Sequence, residues 1–73
     1  MDDNQTLRQF IKMKRKSLKL TQKEMAEKAG VGLRFVRELE RGKETLKMDK
    51  VNQVLDLFGY ELGPQKYLRD EKS

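Results

Sequence analysis

The stretch Leu20-Thr21-Gln22-Lys23-Glu24-Met25-Ala26-Glu27-Lys28-Ala29-Gly30-Val31-Gly32-Leu33-Arg34-Phe35-Val36-Arg37-Glu38-Leu39-Glu40-Arg41-Gly42-Lys43 decides the fold of this chain. Thr21 to Glu24 has the form of a capping box. The Thr21 hydroxyl can accept from the Glu24 amide, and the Glu24 carboxylate from the Thr21 amide. Leu20 and Met25 occupy the staple positions around that cap. A helix over Gln22–Ala29 follows, and Gly30 ends it, because glycine enters the left-handed region at little cost. Val31 and Gly32 then lead into a second helix, Leu33–Arg41. Gly32 is an acceptable N-cap, Val31 and Val36 repeat the staple spacing, and Gly42 is the stop. Ala26 supplies the small residue that a close helix crossing needs. Met25, Ala29, Val31, Val36 and Leu39 supply apolar contacts between the helices and the remaining core.

Working outward, residues 6–18 predict a helix with Leu7, Phe10, Ile11 and Lys14 on one face and Arg8, Lys12, Arg15, Lys16 and Lys19 away from it. Residues 43–47 read as a polar connection. A fourth helix over about 48–58 would bury Val51, Val54, Leu55 and Phe58, with Gly59 as its end. Tyr60, Glu61 and Leu62 alternate apolar and polar before Gly63-Pro64, which suggests a short strand that would need a partner. The expected organisation is a flexible N-terminus at 1–5, a helical domain at 6–59, a strand or dimerisation segment at 60–64 and a polar flexible tail at 65–73.

The chain has 73 residues, net charge +5, and neither Cys nor His. A domain this small buries only about 60% of its unfolded surface, so association is an available supplement to its core. Disulfides, thiolate sites and imidazole base chemistry are excluded, and no metal or cofactor is implied. No P-loop or dinucleotide fingerprint is present, and Glu24, Glu27, Glu38 and Glu40 lie among Lys and Arg as if in ordinary surface pairs. No catalytic residue emerges, so an enzyme is the weakest reading. No apolar run is long enough for a membrane span, and no signal pattern opens the chain, so a cytoplasmic location is expected.

Charge is uneven. Residues 6–43 hold 12 Lys/Arg against four Glu, a surplus of eight, whereas residues 44–73 hold five basic and six acidic residues. A localised basic field suits a polyanion, although a lysine-rich solubilising surface has the same composition. Two short helices across a glycine turn in such a field make the physical pattern of a helix-turn-helix. At about 100° per residue, Phe35, Val36 and Leu39 fall on one side of the second helix. Arg34, Arg37, Glu38 and Arg41 fall on the other. Arginine suits bidentate contact with guanine O6 and N7, and Glu38 could accept from a cytosine amino group. Pairing of Arg34 with Glu38 along a solvated face is the bland alternative.

The pattern L-T-Q-x-x-x-A-x-x-x-G…L-E-x-G-K, carried here from Leu20 to Lys43, resembles the Cro/phage-repressor-like, or Xre, helix-turn-helix family. The resemblance covers about residues 5–60. It implies an all-α, lambda-repressor-like bundle, here of four helices, that binds operator DNA as a two-fold homodimer. Gly59 to Gly63 looks more like the small HipB-type antitoxin branch, in which a C-terminal strand pairs across the dimer. That resemblance implies strand pairing through Tyr60, Glu61 and Leu62, autorepression, and a HipA-like toxin as partner.

Site roles carry over by the same resemblance. The positions of Gly32, Leu33, Arg34 and Arg37 would face base edges, with Leu33 against a thymine methyl; Glu38 joins these readers only through its place on the outward face. Because Gly32 and Leu33 stand where polar readers are common, the hydrogen bonding would fall on Arg34 and Arg37. Thr21, Gln22, Lys23, Arg41, Lys43 and Thr45 would hold phosphates. Arg15 and Glu40 would form a structural ion pair. Two readings compete with operator binding: an antitoxin acting mainly by protein contact, and a basic amphipathic module for a protein or membrane surface built on residues 6–19.

Overall fold

A computed structural model describes residues 6–64, so the expectations for 1–5 and 65–73 fall outside the described residues. Four helices follow in order: α1 (Leu7–Ser17), α2 (Gln22–Ala29), α3 (Leu33–Arg41) and α4 (Met48–Asp56). No strand occurs among the described residues. The fold is the all-α helix-turn-helix bundle.

Local signals place each start. Thr6 caps α1 through its own box, accepting from the Gln9 amide while the Gln9 side chain accepts from the Thr6 amide. Thr21 and Glu24 form the expected box at α2, at 3.0 and 2.8 Å. Gly32 and Lys47 precede α3 and α4 with extended backbones and no side-chain cap.

The four endings share one geometry. A residue with positive φ follows each helical segment: Lys19 at 57°, Gly30 at 77°, Gly42 at 93° and Gly59 at 82°. In each case the next amide bonds back five residues: Leu20 to Arg15, Val31 to Ala26, Lys43 to Glu38 and Tyr60 to Leu55, at 3.0–3.1 Å. This closure satisfies carbonyls that the helix end would otherwise leave open. Only Lys19 does so with a side chain. The expected fourth helix to residue 58 is corrected to Asp56. Leu57, Phe58 and Gly59 instead donate to the carbonyls three residues back, a tighter turn that leads into Gly59.

Ile11, Met25, Ala26, Val36, Leu39, Val51, Val54 and Leu55 form the core, drawn from all four helices. α2 packs most closely on α3, and both helices rest on flanking elements. Buried Ala26 lets the two backbones approach. Gln53 on α4 reaches the Ala29 and Gly30 carbonyls at 3.4 Å, tying α4 to the turn.

Residues 60–64 form no strand within the single chain; they lie back on the bundle. The Leu62 amide donates to Asn52 Oδ1 at 2.7 Å, and the Tyr60 ring meets Phe10 edge-on at 4.8 Å. Lys14, placed on the apolar face by periodicity, sits over both rings at 5.7 and 5.4 Å. Its stem shares the apolar side of α1 while the ammonium meets ring faces.

Candidate nucleic-acid interface

Two helical periodicities build the site. On α3, Val36 and Leu39 turn into the core, which leaves Arg34, Arg37 and Arg41 exposed on the opposite side. The chain then reverses at Gly42, whose φ of 93° is left-handed and against which the flexible Arg8 side chain lies. A Cβ there would lie 2.9 Å from Arg8 Cδ. Arg8 thereby lies across the end of α3, beside Lys43.

An ion-pair network fixes α3 against α1 and the start of α2. Arg15 donates from Nε to Glu40 Oε2 at 2.6 Å and from Nη2 to Glu40 Oε1 at 3.0 Å. Its Nη1 donates to the Leu20 carbonyl at 2.8 Å, and Gln22 Nε2 donates to Glu40 Oε1 at 3.1 Å. The two charged side chains are only 11% and 3% exposed. Two placements from periodicity are thereby corrected. Arg15 does not lie on the outer face of α1, and Glu40 is no ordinary surface partner. Each lies at the edge of an apolar face and turns inward because the other neutralises it. With no buried polar side-chain atom left unpartnered among the described residues, the charges carry no uncompensated desolvation here.

The exposed α3 face runs between two depressions. The first, of about 280 Å³, is lined by Lys12, Gln22, Arg37, Glu40 and Arg41. Glu40 is already neutralised by Arg15, so Lys12, Arg37 and Arg41 give this hollow a positive field. The second, of about 380 Å³, is lined by Gly32, Arg34, Phe35, Glu38, Thr45, Leu46, Lys47 and Lys50. Between them the surface presents cations on both flanks of one helix, the arrangement that a groove with a phosphate strand on either side calls for.

The structure brings Arg34, Arg37, Arg41, Gln22 and Thr45 to these two hollows. Glu38 sits between cations, 3.5 Å from Arg34 Nε and 3.5 Å from Lys43 Nζ. Leu33 is half-buried and packs against the core, so only part of it faces outward. Thr21 uses its hydroxyl as an acceptor in the capping box. Gln22 commits one amide hydrogen to Glu40; its second hydrogen and the backbone N–H groups of Gln22 and Lys23 are the donors left for an anion, since the Glu24 and Met25 amides donate to Thr21. Lys23 is exposed but lines neither hollow. Lys12, Lys47 and Lys50 join the surface without having been singled out by sequence. Their only signal was charge, and charge does not say which lysines α3 will have as neighbours.

Among the described residues, no group of acidic side chains is arranged to hold a metal ion, and no helix is long and apolar enough to cross a membrane.

A family model described as helix-turn-helix matches residues 11–64. The chain is also 49% identical over 50 residues to a protein of Sinorhizobium fredii (strain NBRC 101917 / NGR234) named uncharacterized HTH-type transcriptional regulator y4mF. That match covers 68% of this chain and 66% of the relative, just under two thirds of its length. No solved structure matches the chain.

Proposed function

The chain belongs to the helix-turn-helix family, and from that membership we propose that it is a DNA-binding transcriptional regulator that reads a palindromic operator as a homodimer. The observation that carries this reading is the arginine-rich face of α3 between two cationic hollows. α3 enters the major groove. Arg34 and Arg37 contact base edges, and the exposed part of Leu33 meets a thymine methyl. Thr21, Gln22, Lys23 and Arg41 hold one phosphate strand; Lys43 and Thr45 hold the other. The name of the Sinorhizobium relative supports regulation as the outcome of binding.

Dimerisation is assigned to residues 60–64. The amides of Tyr60 and Leu62 both bond into their own chain, at 3.0 and 2.7 Å. No partner within the chain accepts from the Glu61 amide among the described residues. The Glu61 amide is thus open to a carbonyl of the same segment in a second copy. A two-fold dimer then presents two α3 helices about 34 Å apart, one helical turn of DNA. Truncation before Tyr60 weakens this dimer in sedimentation; an unchanged dimer would remove the segment from the interface. The finer reading, an autorepressing antitoxin of the HipB type that binds a HipA-like toxin, is supported by the resemblance of Gly59 to Gly63.

Selection from a randomised duplex pool tests the proposal. It should enrich an inverted repeat with half-sites about 10 base pairs apart, centre to centre. A pool that enriches nothing, followed by capture of a kinase-like toxin in a pull-down, would shift the function to protein contact.

A further inference from the structure

We propose that Glu38 is a specificity-determining residue whose carboxylate competes with DNA for Arg34 and Lys43. It thereby suppresses binding to non-cognate sequence more than to the operator. This rests on the DNA-binding reading above and deepens it.

Glu38 is the only anion on the exposed face of α3, since Glu40, the helix's other acid, is 5% exposed and turned to Arg15. It holds two cations at once, Arg34 through Oε2 and Lys43 through Oε1, each at 3.5 Å. Those distances exceed the roughly 2.7–2.9 Å of a tight charge-assisted bond, so either cation can be exchanged for another partner. The three side chains differ in exposure. Arg34 is 91% exposed and Lys43 46%, whereas Glu38 is 26% exposed. The carboxylate sits at the root of the face, and the guanidinium extends outward past it.

The consequence differs between sequences. On random DNA, Arg34 finds no guanine edge in register and can only turn to phosphate. Lys43 does the same. Glu38 is then left without its cations in the negative field of the backbone, which opposes binding. At an operator, Arg34 takes guanine O6 and N7, and a cytosine N4 amino group can donate to Glu38. The carboxylate then regains a partner. An element that penalises the wrong partner widens the ratio between right and wrong ones.

The test compares Glu38→Gln with wild type on two probes: a duplex selected by wild type from a randomised pool, and a random duplex of equal length. The amide keeps the shape and can still accept from cytosine N4. Affinity for the random duplex should rise about 3- to 10-fold, and the ratio of selected to random affinity should fall. The salt slope on random DNA should stay unchanged, because Arg34 and Lys43 turn to phosphate in both proteins. Equal gains on both probes, or no gain on the random duplex, would overturn the proposal. A pool from which wild type enriches nothing would instead overturn the DNA-reading function beneath it. Matching melting profiles for the variants exclude a folding effect.

Discussion

Replacing Arg15 by methionine removes the guanidinium but keeps an apolar stem of similar length. Glu40, whose side chain is 3% exposed, then loses two donated bonds and its counter-charge, and keeps only the Gln22 amide at 3.1 Å. The Leu20 carbonyl also loses its 2.8 Å donor. Stripping one partner from a buried ion pair costs about 3–5 kcal/mol, mostly because the surviving charge is left uncompensated. A 73-residue domain holds roughly 4–11 kcal/mol in all, at about 0.05–0.15 kcal/mol per residue. Arg15→Met therefore removes about a quarter of the stability or more. The melting midpoint should fall by roughly 12–40 °C, at about 4–8 °C per kcal/mol. Urea unfolding followed by far-UV circular dichroism measures the loss. Adding Glu40→Leu to the same chain should recover most of it, since no buried charge then remains; the Leu20 carbonyl stays short of a donor, at about 1 kcal/mol. The reasoning is refuted if Arg15→Met unfolds within about 1 kcal/mol of wild type, or if the double variant is no more stable than the single.

Other predictions concern the surface and a helix end. Arg34→Ala should lose about 1–3 kcal/mol on the selected operator and relax the preference at one base pair per half-site; an equal loss on random DNA would remove Arg34 from the base readers. Lys43→Ala should weaken all sequences alike and lower the salt slope by about 0.9, as read by fluorescence anisotropy at a series of salt concentrations. Lys19 holds φ at 57°, a conformation costing a side-chain-bearing residue about 1–2 kcal/mol. Lys19→Gly should therefore stabilise the fold by about 0.5–1 kcal/mol after the entropy cost of glycine. Unchanged or lower stability in urea would contradict that account.

The α2–α3 unit was legible because its signals are local. A capping box, a small residue at the crossing and two αL glycines each act within a few residues, so their spacing in the chain is their spacing in space. The apolar periodicity of α1 places its start at Thr6, one residue early; the capping form Thr6-Leu7-Arg8-Gln9, the same as at Thr21, is the signal that sets Thr6 outside the helix. The end of α1 was not readable: nothing in a lysine announces a left-handed residue, and Lys19 adopts it because the Leu20 amide closes on Arg15. The helical wheel misplaced Arg15 and Glu40 for a physical reason. Periodicity assigns charge to solvent, whereas a matched pair 25 residues apart can be buried. Only the family resemblance pointed to that pair. The three outward arginines followed from the α3 wheel alone, but the hollows beside them depend on where α1 and α4 place Lys12, Lys47 and Lys50.

The central claim is that α3 reads DNA. It is tested most directly by equilibrium binding to the fragment upstream of the chain's own gene, against random DNA, at low and near-physiological salt. The account predicts preferential binding to the upstream fragment that survives the higher salt. Weak, equal binding to both fragments that disappears with salt would contradict it, because only the sequence-independent phosphate term would then remain.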